Sequence, residues 1–333
     1  MKAMVLTKQG DVSTNPLEPR EVPVPVPAPG QVLVRIRVCG VCRTDLHVVE
    51  GELPDVKRPL IPGHQAVGII SEVGTEVGGI AVGDRVGIAW LQGTCGRCEF
   101  CRDGRENLCS QARFTGYQVD GGYAEYAVVP AQFAYPIPPV FSDDEAAPLL
   151  CAGIIGYRAL RMSGIKQGQR LGLYGFGASA HIAIQIARHW GCEVYVSSLK
   201  PEHQRLAREL GARWVGGVSD RPPEKLHGSI IFAPAGELVP IALRALERGG
   251  TLALAGIHMS AIPPLDYDRE VFGERVIRSV TANTRQDGLD LFREAAAIPI
   301  KPRTVSFHFD EANRALQDLK AGRYSGAGVL AVS

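Results

Sequence analysis

Short runs of alternating apolar and polar side chains occupy the first 150 residues. In VLVRIRV (residues 32–38) every second side chain is apolar and the side chains between include two arginines. This period of two is typical of a strand that is buried on one face. Turn-forming sequences such as Pro29-Gly30, Gly83-Asp84 and Gly121-Gly122 separate the runs. We therefore predict a β-rich barrel or sandwich for this part of the chain.

After residue 150 apolar strands alternate with helical stretches. LGLYG (171–175) precedes ASAHIAIQIARHW, and EVYVSS (193–198) precedes PEHQRLAREL; the same alternation continues through TLALAGI (251–257). This alternation predicts an α/β domain in which a parallel sheet carries helices on both faces. The final segment (307–333) contains a helical pattern and a short strand, which we expect to return to the first domain.

Length and charge limit the possible functions. The 333 residues suit two domains. Because 36 basic residues nearly balance 35 acidic ones, no electrostatic signal for nucleic acid or an anionic membrane is present. We find no signal peptide pattern and no apolar run of the roughly 20 residues that cross a bilayer. We expect a cytoplasmic protein that acts on a small molecule.

The segment CGRCEFCRDGRENLC contains the strongest local signal. It spaces Cys95, Cys98, Cys101 and Cys109 as C-x2-C-x2-C-x7-C. Four thiolates on one short loop suit a closed tetrahedral zinc site. Iron–sulfur ligation is the main alternative, but the ferredoxin spacing places the fourth cysteine after three residues and before proline. We predict a structural zinc ion here.

A second group of reactive side chains lies in VCGVCRTDLH (38–47), which places Cys42, Thr44, Asp45 and His47 within six residues. Taken alone this is a weak signal, since single cysteines are frequently core residues. If His64, in Gly63-His64-Gln65, and Cys151 approached Cys42, the three would form a Cys2His site with an open fourth position. An open position is the mark of catalytic zinc.

The sequence LGLYGFGASAH carries a dinucleotide-binding pattern. Gly175, Gly177 and Ala180 form G-x-G-x-x-A between a predicted strand and a predicted helix. There the amides of a helix N-terminus can bind a pyrophosphate. The acidic residue expected after the second strand is replaced by Ser198, and Lys200 follows. We therefore predict NADP(H), with NAD(H) as the alternative because Lys200 is also typical of a solvated charge.

Together these motifs resemble the zinc-dependent alcohol dehydrogenases of the medium-chain dehydrogenase/reductase superfamily. The resemblance extends over essentially the whole chain and includes DGGYAEY (120–126) and NTRQDGLD (283–290). It implies a GroES-like catalytic domain (1–150 and 296–333) and a Rossmann domain (151–295). It also implies a homo-oligomer, either a tetramer or a dimer, and two zinc ions per chain.

The resemblance further implies a role for each site residue. Cys42, His64 and Cys151 would hold the catalytic zinc, and Asp45 would orient the His64 ring. The zinc would lower the pKa of the alcohol and favour hydride transfer to the nicotinamide. Thr44 would accept the alcohol proton and pass it through the cofactor ribose to His47.

This chain departs from the family at two positions. Most members have glutamate after the ligand histidine, where this chain has Gln65, and many have arginine where Ala327 lies. Losing one member of a buried ion pair costs about 3–5 kcal/mol, whereas losing both can be nearly neutral. The two absences together therefore suggest a coherent variant, in which Arg285 is our candidate donor to the pyrophosphate.

We expect a primary alcohol or its aldehyde as the substrate. The substrate pocket predicted from the resemblance consists of Val49, Leu53, Trp90 and Leu91. The sequence also allows two alternative functions. One is a quinone or enone reductase without catalytic zinc, and the other is a zinc-ribbon module that binds nucleic acid or protein. The Cys2His set disfavours the first, and the glycine pattern disfavours the second.

Overall fold

The structure is a computed structural model, and it describes residues 1–54, 56–298 and 300–332. The chain divides into two compact units. Unit 1 comprises Met1–Cys151, Asn283–Ala296 and Pro302–Ser333, and unit 2 comprises Ala152–Ala282 and Ala297–Lys301. None of the helices in the described ranges has the length and apolar character that a bilayer crossing needs.

The elements are numbered in chain order. The strands are β1 (Lys2–Leu6), β2 (Leu17–Glu21), β3 (Gln31–Val41), β4 (Ala66–Val73), β5 (Arg85–Ile88), β6 (Leu91–Gly93), β7 (Arg113–Phe114), β8 (Tyr126–Pro130), β9 (Ala134–Pro136), β10 (Arg170–Tyr174), β11 (Glu193–Ser197), β12 (Trp214–Gly216), β13 (Leu226–Ile231), β14 (Leu246–Leu254), β15 (Val276–Ser279), β16 (Thr304–His308) and β17 (Ala327–Ala331). The helices are α1 (Arg43–Glu50), α2 (Glu99–Arg102), α3 (Asp143–Pro148), α4 (Ile154–Met162), α5 (Ala178–His189), α6 (Pro201–Glu209), α7 (Leu238–Ala245), α8 (Arg285–Ala297) and α9 (Ala312–Ala321). Single 3₁₀ turns occupy Val12–Thr14, Glu106–Leu108, Ala131–Phe133 and Phe309–Glu311, and π-helical turns occupy Leu149–Gly153 and Tyr267–Val271.

Unit 1 is built on a seven-stranded sheet in the order β16-β17-β3-β4-β5-β9, with β8 also paired to β3. The central strand β3 contains the predicted VLVRIRV run; Val32, Val34 and Ile36 are fully buried, as the alternation predicts. Strand β17 pairs antiparallel with β3, so the end of the chain returns to this sheet. Strand β3 ends at Val41, directly before Cys42, and strand β4 begins at Ala66, two residues after His64.

Unit 2 contains a six-stranded sheet in which every pairing is parallel. The strand order is β12-β11-β10-β13-β14-β15, which is the order 3-2-1-4-5-6 of the Rossmann fold. Helix α5 follows β10 and buries Ile182, Ile184 and Ile186. This confirms the predicted α/β class with a doubly wound parallel sheet.

The units differ from the sequence-based boundaries mainly over residues 283–296. The sequence-based boundaries place residues 283–295 in the Rossmann domain, whereas they group with unit 1. Helix α8 packs there against β9. The centroids of the Phe292 and Tyr135 rings are 6.3 Å apart, and the backbone of Gly288 contacts the same tyrosine ring. A side chain at position 288 would collide with that ring, so glycine permits the close approach.

Candidate metal centre and cofactor site

Cys42 is positioned by the start of helix α1. It occupies the N-cap, where its Sγ accepts a hydrogen bond from the Thr44 N–H at 3.3 Å. The Asp45 carboxylate accepts the Cys42 N–H at 2.9 Å in return. This reciprocal arrangement is a capping box in which a thiol replaces the usual hydroxyl. The helix start therefore fixes a sulfur atom and a carboxylate close together.

His64 is held by its backbone and by its ring. The preceding Gly63 has φ +94°, and a Cβ there would meet the Tyr123 ring and lie 2.9 Å from the Cys39 Sγ. The His64 Nδ1 donates to the second oxygen of Asp45 at 2.9 Å, and both side chains are buried. Because the carboxylate accepts at Nδ1, Nε2 is the ring nitrogen that can bind a metal ion once its proton is displaced.

Cys151 completes a three-residue cluster. It lies in the π-helical turn Leu149–Gly153, a local irregularity that is frequent at functional sites. The sulfur atoms of Cys42 and Cys151 are 3.8 Å apart. The potential ligand atoms of Cys42, His64 and Cys151 all lie within 4.8 Å of one another. The structure thus brings together three residues that are far apart in sequence.

The polar atoms of this cluster fit a zinc ion. The His64 Nε2 is buried and has no hydrogen-bond partner among the described residues, an arrangement that is costly unless another group pairs with the nitrogen. Two sulfurs and one imidazole nitrogen form the Cys2His set of catalytic zinc sites. The residues present therefore match the chemistry of the predicted ion.

The charges within the cluster favour binding of a cation. The hydrogen bond from Cys151 lowers the pKa of Cys42 well below its usual value, and the same bond together with burial raises the pKa of Cys151. Burial lowers the pKa of His64, but the charges of Asp45 and Cys42 outweigh it and raise that pKa to about 10. A metal ion must displace these protons, so metal binding strengthens as pH rises.

A second cluster consists of four cysteines and lies in the loop around α2. The sulfur atoms of Cys95, Cys98, Cys101 and Cys109 are all within 4.8 Å of one another. Backbone hydrogen bonds, first from Arg97 and then from Cys98, lower the pKa of Cys95 to about 6. Four converging sulfurs with amide donors suit a closed, structural S4 site.

In unit 2 the glycine pattern lies between β10 and α5. Gly175 has φ +85°, and a Cβ there would be 3.0 Å from Ala233. Gly177 is the N-cap of α5, and Ala180 is buried in its first turn. Ser198 directly follows β11 and is 3% exposed, while Lys200 is the N-cap of α6. Gly175, Gly177 and Ala180 therefore lie between a strand and a helix, as the dinucleotide-binding pattern requires, whereas Ser198 takes the place of its acidic residue.

On α1, Thr44 and His47 lie one turn apart on the same face. Thr44 follows Cys42 closely and is 7% exposed. The His47 Nδ1 is paired with the carboxylate of Glu52, whose side chain is half exposed. The sequence motif ended at His47, so it gave no signal for Glu52, which the αL turn at Gly51 brings back towards the helix.

Arg285, our candidate donor to the pyrophosphate, pairs with a carboxylate of its own unit. Its guanidinium donates to both carboxylate oxygens of the buried Glu106, from Nε at 3.0 Å and from Nη2 at 2.6 Å. It also donates to Gln132 at 2.8 Å and lies 4.8 Å from the centre of the Phe133 ring. These contacts engage one N–H each of Nε, Nη1 and Nη2, and they join α8 to the cysteine loop. The assignment of Arg285 to the cofactor pyrophosphate stays a prediction.

The predicted pocket residues divide into two groups. Val49 and Leu91 are fully buried, so they cannot form an accessible wall, and we withdraw them as direct pocket residues. Leu53 and Trp90 are only partly buried. The Trp90 ring meets the His64 ring edge to face at a centroid distance of 4.9 Å.

Gln65 and Ala327 are both buried, with 2% and 5% of their surfaces exposed. The Gln65 side chain packs against Gly40, where a Cβ would lie 2.9 Å away. Because position 327 is alanine, it offers no positive charge to a residue at position 65. The neutral amide and the small alanine are therefore consistent with each other, as a buried glutamate without its arginine would not be.

The geometry matches an oxidoreductase class in which a GroES-like unit with a Cys2His cluster accompanies a Rossmann unit. Known proteins agree. Residues 28–139 match the family model "Alcohol dehydrogenase GroES-like domain", and residues 180–297 match "Zinc-binding dehydrogenase".

Relatives match over nearly the whole chain. The chain is 52% identical to "Probable alcohol dehydrogenase AdhA" of Mycobacterium tuberculosis (strain CDC 1551 / Oshkosh), over 100% of this chain and 97% of that protein. It is 39% identical to an alcohol dehydrogenase of Geobacillus stearothermophilus, over 94% and 95%. A cinnamyl alcohol dehydrogenase from Sorghum bicolor superposes with a TM-score of 0.90 at 26% identity, over 99% and 97%. The chain belongs to the zinc-dependent alcohol dehydrogenase family and is an NAD(P)-dependent oxidoreductase.

Proposed function

We propose that Cys42, His64 and Cys151 hold the catalytic zinc and that Asp45 orients two of these ligands. The observation that carries this proposal is the buried, unpartnered His64 Nε2 beside two converging sulfurs. A zinc ion with three protein ligands acts as a Lewis acid towards a substrate oxygen. Asp45 fixes the protonated Nδ1 of His64 and the backbone of Cys42. The four-cysteine loop holds a second, structural zinc.

We further propose a proton path along α1. Thr44 would accept the proton of the alcohol while its own hydroxyl proton leaves through the cofactor ribose, and His47, one turn later, would carry that proton towards solvent. Glu52 is the next group on this path because it contacts the His47 Nδ1 and is half exposed. A carboxylate there fixes the tautomer of His47.

Replacing Glu52 by glutamine is expected to slow proton release. The kcat for alcohol oxidation should fall about three- to tenfold, less than loss of a direct general base, which costs about a hundredfold or more. Added imidazole or formate should restore part of the rate. Initial rates at increasing concentrations of imidazole or formate measure how much of the rate is restored. Glu72→Gln, on the exposed side of β4, is the control; equal rates in the two variants would contradict the path.

For the cofactor we propose a preference for NADP(H). Ser198 supplies no carboxylate where NAD-specific sites carry one, and Lys200 provides a cation at the start of α6. His203 lies in the first turn of the same helix, and burial, followed by the charge of Lys200, lowers its pKa. This neighbourhood suits a 2′-phosphate.

Ser198→Asp is expected to reverse the preference, because a carboxylate repels the 2′-phosphate and accepts from the ribose hydroxyl of NAD. Lys200→Ala should lower kcat/KM for NADP about ten- to a hundredfold, the value of one charge-assisted hydrogen bond of about 1.5–3 kcal/mol. Lys166→Ala, an exposed lysine of the same unit, is the control. Initial rates with both cofactors provide the measurement, and a wild-type protein that prefers NAD would overturn the proposal.

We propose a primary alcohol or its aldehyde as the substrate, with Trp90 and Leu53 as walls of the pocket. The indole beside His64 limits the room for a second substituent on the alcohol carbon. Initial rates for matched primary and secondary alcohols test this proposal directly. Since all eight cysteines are free thiols, a reducing compartment, the cytoplasm, suits the two metal clusters.

We also propose that copies of the chain associate through β15. This edge strand exposes all four residues, and the exposed Tyr267 and Phe272 lie nearby in sequence. An open apolar strand edge is self-complementary about a two-fold axis. Light scattering should give a multiple of 35.8 kDa, and Ile277→Asp should reduce it. Val140→Asp, at an exposed valine in unit 1, should not, and a monomeric wild type would contradict this interface.

A further inference from the structure

A tight turn fixes the backbone of Trp90. We call residues 114–117 the aromatic turn; it follows the short β6–β7 pair. The Thr115 N–H donates to the Trp90 carbonyl at 2.9 Å, and the Thr115 hydroxyl donates to the Ala89 carbonyl at 2.7 Å. Thr115 is fully buried. The main chain at Trp90 is therefore anchored by two consecutive carbonyl contacts to one residue.

The aromatic turn also holds the indole ring. Phe114 stacks on Trp90 with 5.1 Å between centroids and 20° between planes. Tyr117 stacks on it at 5.7 Å and 24°. The third neighbour of the indole is the ring of His64, at 4.9 Å. Trp90 thus lies between a proposed zinc ligand and two supporting rings, and such ring pairs add stability beyond their buried area.

The segment that carries His64 rests on the same turn. Gly116 has φ +66°, and a Cβ there would be 2.7 Å from the Gly63 nitrogen. Just beyond the turn, the Gly122 N–H donates to the Gly63 carbonyl at 2.8 Å. The segment of the ligand histidine and the indole therefore both pack against the aromatic turn.

Tyr117 connects the aromatic turn to the segment of Leu53, the second proposed wall of the pocket. Its hydroxyl donates to the Pro54 carbonyl, and its own carbonyl accepts the Lys57 N–H at 3.0 Å. Pro54 follows Leu53 directly in sequence. Tyr117 is the residue that supports the indole on one side and restrains the Leu53 segment on the other.

We propose that Tyr117 is a specificity-determining positioning residue that sets the width of the alcohol pocket. This inference rests on the proposed function, in which the alcohol lies between Trp90 and Leu53. Tyr117 itself need not touch the alcohol. It acts by holding the two walls at a fixed separation, so that an alcohol one or two methylenes longer must displace a braced side chain.

Two variants separate the two supports. Tyr117→Phe keeps the ring stack and removes only the hydroxyl contact with Pro54. Tyr117→Leu removes both. Tyr195→Phe is the matched control, because it also removes a tyrosine hydroxyl contact, with Glu193 and Glu224, but lies in unit 2.

The first measurement is the ratio of kcat/KM for hexan-1-ol to that for ethanol at saturating cofactor. Because one methylene changes selectivity about ten- to a hundredfold at most, we expect the ratio to rise about threefold in Tyr117→Phe and about tenfold or more in Tyr117→Leu. The control should keep the wild-type ratio. Unchanged ratios in both Tyr117 variants, with wild-type zinc content, would overturn the inference.

The second measurement reports on the indole without turnover. The chain has three tryptophans, so Trp190→Phe and Trp214→Phe leave Trp90 as the single emitter. Acrylamide should quench Trp90 more strongly in Tyr117→Leu and equally in Tyr117→Phe and in the parent. Equal quenching in all three would refute the bracing of Trp90. If the wild type oxidises no primary alcohol, the proposed substrate fails, while the quenching result still decides the bracing.

Discussion

Cys42→Ala should lower kcat/KM for alcohol oxidation about a thousandfold or more. A loss of this size corresponds to about 4 kcal/mol of transition-state stabilisation. The substitution removes one of three proposed ligands to the catalytic ion, and the remaining Cys151 and His64 cannot retain zinc in an open site. The fold should survive, because the lost N-cap contact to Thr44 costs only about 1 kcal/mol.

Zinc analysis and circular dichroism accompany the rate measurement. Wild type should contain about two zinc ions per chain and Cys42→Ala about one, because the S4 site keeps its own ion. Cys192→Ala is the control, since Cys192 is a buried thiol outside both clusters. A Cys42→Ala protein that keeps a tenth of the wild-type rate, or both metal ions, would contradict our assignment.

Cys98→Ser should chiefly reduce stability. Loss of a structural metal belongs to the mechanisms that cost about 4 kcal/mol or more. For a chain of this size we expect the melting temperature to fall by about 10 °C. At low temperature kcat should stay within a few-fold of wild type, because the S4 ion is closed by protein ligands and does not meet the substrate.

Scanning calorimetry and initial rates at 10 to 15 °C below the transition provide the comparison. Ser110→Ala is the control, since Ser110 follows Cys109 in the same loop but lies outside the ligand set. An unchanged melting temperature in Cys98→Ser would show that the loop holds no stabilising ion. A rate loss as large as that of Cys42→Ala would assign the S4 site a role in the reaction.

The sequence predicted those features that depend on spacing. The parallel sheet of unit 2 follows from the strand–helix alternation, and the S4 cluster follows from four cysteines in fifteen residues. Cys42, His64 and Cys151 do not share a local motif. Their residue types allowed a Cys2His site as a hypothesis, and the family resemblance implied it, before the structure brought their ligand atoms within 4.8 Å.

Other features depend on contacts between distant segments and could not be inferred from spacing. Arg285 resembles an anion donor in sequence, yet the buried Glu106 accepts its donors. Val49 lies next to reactive residues, yet the core covers it completely. Tyr117 is an ordinary tyrosine in the sequence; only its ring contact with Trp90 and its hydroxyl contact with Pro54 reveal a link between two walls.

A crystal structure of the purified protein, with anomalous data collected at the zinc edge, tests the central claim most directly. We expect two peaks per chain. One should lie about 2.3 Å from the Sγ atoms of Cys42 and Cys151 and about 2.0–2.1 Å from the His64 Nε2, with a non-protein atom as the fourth ligand. A map with no peak there, or with a fourth protein ligand closing the site, would contradict the account.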